Sequence, residues 1–261
     1  MTSTQSPIVL LPVPHMPLID AGDDLARIIV ECLRNDGLQF QSDDVLVVAQ
    51  KIVSKSEGRL VEIATVTPSE AALELATRCD MDPRLIEIIL RESKSVVRVR
   101  KTPGILVVEH RGGFICANAG VDRSNVEQPA EAHEVVALLP EDSDDSALRL
   151  RESIAALTGA DIAVIVNDSH GRAFRNGVIG TAIGVAGLEP VIEEFGWPDL
   201  FGYELQRTAV GQADELAAAA SLMMGQSNEG IPAVIIRGAP IHRASGGIGT
   251  LIRSPDTDMF R

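Results

Sequence analysis

Asn167, Asp168 and Ser169 set an amide, a carboxylate and a hydroxyl on consecutive residues. Oxygen donors of this kind suit a hard cation such as Mg2+. Two arginines three apart, Arg172 and Arg175, follow them. Guanidinium groups donate paired hydrogen bonds and so suit phosphate or carboxylate. Metal plus phosphate is the chemistry this stretch invites. A strand, an Asx-type turn and solvated arginines describe the same residues equally well. A second gathering runs from Asn118 to Asn125 around Asp122, which taken singly fits a turn better than a ligand. A third, Gln50 to Arg59, puts lysines, serines and a glycine just after a strand. That pattern suits either a phosphate-binding edge or a solvated turn. It is not a Walker A loop, because GxxxxGK[ST] is absent. Asp122 and Asp168 both follow apolar strands, so both are placed to reach one sheet edge. Two neighbouring carboxylates repel unless a cation lies between them, which makes the pair a better ligand hypothesis than either alone.

The elements that must position these groups follow from periodicity. Ile162 to Val166 reads as a buried strand that stops at Asn167 and meets a glycine turn. Val45 to Ala49, Ile105 to Glu109 and Ala233 to Ile236 read as further apolar strands, and Ile8 to Val13 as a short one. Ser95 to Val99 alternates like a half-exposed strand, and Arg111-Gly112-Gly113 fits a hairpin turn to Phe114–Ala117. Pro12, Pro14 and Pro17 impose an extended, rigid loop after the first strand. Helices are expected from Leu25 to Asn35 behind Asp23-Asp24, from Pro68 to Cys79, and from Asp82-Pro83 to Glu92. Glu127 to Ala137 carries little pattern. The acidic run Glu141–Asp145 reads as a solvated loop and helix start, with Asp145 or Ser146 capping Ala147–Leu157 before Thr158-Gly159. Ala182–Leu188 is rich in small residues that permit close packing. Pro198–Leu205 contains no cofactor box. Thr208–Gly225 is an alanine-rich helix expected to be capped by Thr208 or Asp214. His242–Arg261 reads as a loop-like tail.

Composition narrows the function. The 261 residues suffice for one large domain, with two subdomains as the alternative, and the chain is 45% hydrophobic, well outside the disordered range. Aromatics at 3% and a net charge of -14 argue against a nucleic-acid surface. Cys32, Cys79 and Cys116 are too scattered for a metal site or a disulfide framework, and read as buried free thiols. There is no secretion signal and no apolar run of membrane-spanning length, so a cytoplasmic protein is expected.

Several segments resemble one family. QKIVSKSEGR, CANAGVDRSNV, NDSHGRAFRNG, IGVAG, and ADELAAAASLMMGQ followed by PAVIIRG resemble, in order, the coenzyme F420-0:L-glutamate ligases, the gamma-glutamyl ligases of deazaflavin biosynthesis. The resemblance covers roughly residues 8 to 240. It implies an α+β fold of mixed sheets and packed helices, in an intertwined homodimer with the site near the subunit interface. It implies GTP as substrate and Mg2+ or Mn2+ as metal, with K+ a further candidate. The expected reaction joins L-glutamate to the F420-0 precursor through an acyl phosphate, releasing GDP and phosphate, and then adds gamma-linked glutamates. The family's metal carboxylates fall on Asp122 and Asp168, a hydroxyl ligand for a second metal on Ser169, and a further ligand on Gln226. Nucleotide contacts fall on Asn125, Gln50, Lys55 and the loop His15, Met16, Pro17 and Leu18. Lys55, Arg172 and Arg175 are the candidate catalytic side chains. Serine replaces the commoner threonine at 169 and keeps the oxygen. Gln50 stands where a small hydroxyl residue is common, and the family's glycine near His15 is missing. Some relatives carry an added nitroreductase-like domain, which is not expected here. Two rivals remain on sequence alone: a ligase for another acidic acceptor, and a nucleotide-binding homologue without turnover.

Overall fold

The computed structural model describes residues 7–128 and 134–259. The described residues form twelve strands and six α-helices. They are β1 Val9–Pro12, α1 Leu25–Asn35, β2 Val45–Ala49, α2 Gln50–Ser56, β3 Leu60–Glu62, α3 Glu70–Ala76, α4 Pro83–Arg91, β4 Ser93–Arg100 and β5 Ile105–His110. There follow β6 Ile115–Ala117, β7 Val135–Ala137, α5 Ser143–Thr158, β8 Ala163–Arg172, β9 Arg175–Ala186, β10 Ile192–Glu193, β11 Ala209–Val210, α6 Gln212–Met224 and β12 Ala233–Arg237. The fold is α+β, with mixed sheets and packed helices, as expected.

A five-stranded sheet in the order β1-β12-β2-β8-β9 carries the main core. Only β2 and β8 run parallel; the other neighbours are antiparallel. Side chains alternate across a strand, so each of β2, β8 and β12 feeds both faces. Leu46, Val48, Val164, Val166 and Ile235 pack against Ile29 and Leu33 of α1 and Ile154 of α5. Val45, Val47, Ile165, Val234 and Ile236 pack on the other face against Ala213, Ala217 and Ala220 of α6. Central strands buried on both faces read as unbroken apolar runs, which is why β2 and β12 were legible. The alanines and glycines set the spacing. A Cβ on Gly180 would collide with Ala217 and Ser221 of α6, and one on Gly184 with the backbone of Ser143 in α5.

A second group of elements stands beside this sheet. β4, β5 and β6 form one antiparallel sheet and β3 and β7 another. Leu106 and Val108 pack with Ile86 and Ile89 of α4 and Ala72 of α3. His110 ends β5 and stacks on Phe114 with ring centroids 4.8 Å apart. Phe114 in turn packs against the cores on both faces of the large sheet, so this stack joins the two groups.

Several expectations needed correction. Gln50–Arg59 is not a turn: α2 starts at the residue after β2, because Gln50, Ile52, Val53 and Ser54 all find buried positions. Asp168 and Ser169 do not end a strand, and Gly171 is not the turn. β8 continues to Arg172 and turns back at Ala173-Phe174, with Phe174 at φ 60°. The apolar run stops at Val166 because the strand leaves the sheet there, not because it ends. Helix α5 begins earlier than expected, with Asp142 capping it through the Asp145 N–H at 3.0 Å. Asp144 turns inward and accepts from the Val185 and Ile248 N–H groups, so this acidic run is not wholly solvated. Helix α3 ends at Ala76, short of Cys79. Neither Thr208 nor Asp214 caps α6; Gly211 holds that position without a side-chain bond. The tail forms a 3-10 turn at Ile248–Thr250, and Ile248 is buried against the α6 core. Part of the unpatterned Glu127–Ala137 stretch, 129–133, lies outside the described residues, as do 260–261 of the tail. All three cysteines are free thiols, Cys79 and Cys116 buried and Cys32 half-buried. No described helix is long and apolar enough to cross a membrane.

Two stability experiments follow from this packing. Gly184→Ala should cost about 1–3 kcal/mol in urea unfolding, since the collision is with rigid backbone. Gly171→Ala has open space and should stay within about 1 kcal/mol of wild type, on the stabilising side. Burial lowers the pKa of His110 from 6.5 to about 4, helped by neighbouring His170, Arg111 and Arg59. Below pH 6.5 the unfolded chain therefore takes up a proton that the folded chain refuses until about pH 4. Stability falls as pH drops through that window, by on the order of 3 kcal/mol from this group. His110→Phe should lose that part of the acid dependence, read as the difference between the two pH–stability curves.

Candidate active site

β2 and β8 pair in parallel from Val45↔Ala163 to Ala49↔Asn167 and then separate. β2 folds directly into α2, while β8 runs on beside β9 alone. The candidate side chains cluster around that parting point. Gln50, the first residue of α2, turns inward: it is buried, and its amide oxygen accepts from the Ser54 hydroxyl at 2.9 Å. Lys51 points the other way. Its Nζ lies 2.5 Å from Asp122 Oδ2, 2.8 Å from the Ser124 carbonyl and 3.2 Å from Ser124 Oγ. Three acceptors match the three hydrogens of an ammonium group.

Asp122 follows a 3-10 turn, Asn118–Gly120, and bridges to Ala137. It also accepts from the Ser124 N–H at 2.8 Å and the Ser124 hydroxyl at 2.6 Å. Burial pushes its pKa up, but the bonds from Lys51 and Ser124 outweigh that and hold it below the usual carboxylate range. Asp122 is thus held as an anion. Three residues on, the Asn125 amide donates to the Ser227 carbonyl at 3.0 Å. That bond ties the Asp122 loop to the segment after α6, where exposed Gln226 adjoins Ser227.

Lys55 stands one helical turn beyond Lys51 and is half-buried. Burial and the charge of Lys51 lower its pKa, opposed by Asp20 and Glu127. The loop carrying His15, Met16, Pro17 and Leu18 approaches the same helix from the other end of the chain. Gly22 N–H donates to the Ser56 carbonyl at 2.8 Å, and buried Ile19 anchors the loop between. His15 has φ 53° and is exposed, as are Pro17 and Leu18, while Met16 packs on the core.

Asp168 lies one position past the last residue paired with β2, after a register shift between Val166 and Asn167. Its Oδ2 is 3.1 Å from His170 Nε2, and the His170 ring is 5.5 Å from Phe114. Ser169 is exposed. Adjacent strand residues face opposite ways, so Asp168 and Ser169 do not aim at one point from this strand. Arg172 and Arg175 pair across the ribbon tip. Four residues of strand beyond Asp168 put Arg172 about 13 Å along the ribbon. Arg172 Nη2 donates to the Asn176 carbonyl at 3.2 Å, while its buried Nε has no partner. Within one chain the structure therefore gathers Lys51, Lys55, Asp122, Asn125 and the 226–227 segment, with Asp168 on the adjoining strand. It does not bring the two arginines to them. Among the described residues no three His, Cys, Asp or Glu side chains form a metal-binding group.

Sequence reasoning missed Lys51 and His170. Two lysines four apart, directly after a buried strand, were the available signal for Lys51. His170, two residues from Asp168, shares its strand face by the period of two.

A family model described as F420-0:Gamma-glutamyl ligase matches residues 14–238. A protein of Methanothermobacter thermautotrophicus called coenzyme F420:L-glutamate ligase is 45% identical over 256 residues, covering 97% of this chain and 99% of that one. The protein of that name from Methanopyrus kandleri is 45% identical over 254 residues, 96% of each chain. The one from Archaeoglobus fulgidus is 40% identical over 254 residues, 97% of this chain and 96% of its own. Matches of this extent, spanning every element of the site, place the chain in the F420-0:gamma-glutamyl ligase family.

Proposed function

We propose that this chain joins L-glutamate to coenzyme F420-0 at the parting point of β2 and β8, driven by GTP. The observation that carries the location is the anionic Asp122 held by Lys51, with Lys55 one turn away and Asp168 on the next strand. Amide formation from a free carboxylate needs activation, because oxide is a poor leaving group. In this reading a carboxylate oxygen of the precursor attacks the γ-phosphorus of GTP. The bond to the β-phosphate oxygen breaks and GDP leaves, giving an acyl phosphate. The glutamate amine then attacks the acyl carbon. The carbon–oxygen bond to phosphate breaks, one amine proton goes to the phosphate and one to solvent. Later glutamates join through the gamma carboxyl by the same steps.

Lys51 and Lys55 offset phosphate charge in this scheme, and the transferring phosphoryl group is held in line between them and the acceptor. Asn125, Gln50 and the His15–Leu18 loop are the proposed nucleotide contacts, Gln50 through its position because its side chain is turned inward. Asp122, Asp168 and Gln226 are the proposed metal donors, with Ser169, which faces the other way on β8, proposed for a second metal. They supply only oxygen, two of them carboxylates, which suits Mg2+ or Mn2+ completed by phosphate oxygens. When bound, such an ion neutralises charge on the phosphate oxygens. K+ is a further proposed ion. The whole of 1–261 acts as one ligase domain here, with the α3–α4 and β4–β6 region as a subdomain. Exposed Phe195, Trp197, Leu200, Phe201 and Tyr203 favour the intertwined homodimer, as does a ribbon tip standing clear of the sheet. In that dimer Arg172 and Arg175 contact phosphate or substrate across the subunit boundary. The setting is cytoplasmic.

The test is phosphate release from GTP with Mg2+ or Mn2+, precursor and glutamate, with the precursor mass followed in parallel. Asp168→Asn should lower turnover at least ~100-fold while keeping the melting temperature. Lys51→Met should raise the GTP KM about tenfold, a loss of about 1.4 kcal/mol of phosphate binding. Undiminished turnover in Asp168→Asn would remove that residue from the site. Turnover with ATP but none with GTP would overturn the nucleotide.

A further inference from the structure

A pocket of about 190 Å3 opens between the β5–β6 turn, β9, the first turn of α6 and the tail. Phe114, Ile115, Ile248, Leu251 and Ile252 give it apolar walls, and Asp214 contributes a carboxylate. Asp214 Oδ1 accepts from the Ala182 N–H at 3.0 Å. Among the described residues Asp214 has no salt-bridge partner, and burial raises its pKa. A half-buried carboxylate without a cation is costly to keep ionised, so the pocket is suited to a ligand that brings one. The tail adds Arg253 and Asp258 to the lining, with the Arg253 guanidinium 3.8 Å from Asp258.

The position of this pocket relative to the site is fixed by strand register. Asp168 stands directly opposite Thr181 in the β8–β9 ladder. Directly opposed residues of an antiparallel pair point to one face. Thr181 lines the pocket. His170, on the same face as Asp168, has its ring beside Phe114, which also lines the pocket. Thr181 and Phe114 therefore give the pocket a wall on the Asp168 side of β9, while Ala182 and Asp214 line it from the α6 side.

We propose that this pocket binds the attacking L-glutamate, an assignment that rests on the ligase reading above. Asp214 holds the glutamate ammonium, the apolar walls take its methylenes, and Arg253 takes a carboxylate. The carboxylate, apolar walls and guanidinium that line the pocket complement the ammonium, methylenes and carboxylate of the amino acid. Asp214 and Arg253 thus become substrate-binding residues for glutamate and have no part in GTP binding.

The experiment separates the two half-reactions. Hydroxylamine is small and uncharged, and it intercepts an acyl phosphate to give a hydroxamate and phosphate without needing an ammonium subsite. Asp214→Asn should raise the glutamate KM at least tenfold. GTP consumption with hydroxylamine in place of glutamate should stay within twofold of wild type. Ile252→Trp, which fills the pocket from the tail, should show the same split, and melting temperatures check that both variants fold. An unchanged glutamate KM in the folded variants overturns the pocket assignment. So does a hydroxylamine rate that falls in step with the glutamate rate. Absence of hydroxamate with the wild-type enzyme would instead count against the acyl-phosphate route, leaving the glutamate KM to judge the pocket.

Discussion

β2 and β8 hydrogen-bond side by side for five residues and then part, and the site exists because of that divergence. A parallel pair needs both faces covered, and α1, α5 and α6 supply the cover. Where that cover ends, β2 closes into α2 and satisfies its backbone within the helix. β8 cannot do the same. It keeps its antiparallel partner β9 and projects as a ribbon. One strand thus delivers Lys51 and Lys55 on a helix, and its neighbour delivers Asp168 and His170 on a strand. The register shift after Val166 belongs to the same event, since a bulge re-aims the side chains that follow it.

The electrostatics follow from how few cations this acidic chain collects in one place. With a net charge of -14, the surface field repels a polyanionic nucleotide. Lys51 is largely buried, with 15% of its side chain exposed, and its charge is matched by Asp122. Among the described residues no ion pair joins Lys55 to a carboxylate, and burial first, then the charge of Lys51 one turn away, lowers its pKa. Close positive charges are unfavourable on a helix unless an anion relieves them. Lys55 thus carries the unmet demand for negative charge, beside a carboxylate already held ionised by Lys51. A metal-bound phosphate meets that demand in the ligase reading.

Much of the framework was legible because it depends on local rules. The apolar runs Val45–Ala49, Ile105–His110 and Ala233–Arg237 are strands, and Leu25–Asn35 and Pro83–Arg91 are helices with aspartates at their starts. Failures came where long-range partners decide. Polar residues from Asn167 to Arg172 stay in strand conformation only because β9 returns beside them, which no window around Asp168 reveals. Gln50 and Ser54 look like turn residues until they are seen to bond each other inside a short buried helix. Asp168 and Asp122 were legible as candidates, since each stands just beyond an apolar run. Lys51 was not, because its role depends on a loop 71 residues away.

Asp144 shows how the same long-range logic builds the wall of the second pocket. It sits in the first turn of α5, within a run of acids that composition alone assigns to solvent. Its side chain instead accepts from Val185 of β9 and Ile248 of the tail, at 2.8 Å and 3.1 Å. One carboxylate therefore pins the last segment of the chain to the strand that faces Asp168. This depends on close approach: Gly184 lets α5 lie against β9, and Gly247 leaves no Cβ to collide with Asp144. Ile248 is buried as a result, and Leu251 and Ile252 are carried over the first turn of α6. The tail is thus held by buried polar bonds that cost free energy if broken singly. Its apolar residues have a fixed place from which to shape a pocket shared with Thr181 and Asp214.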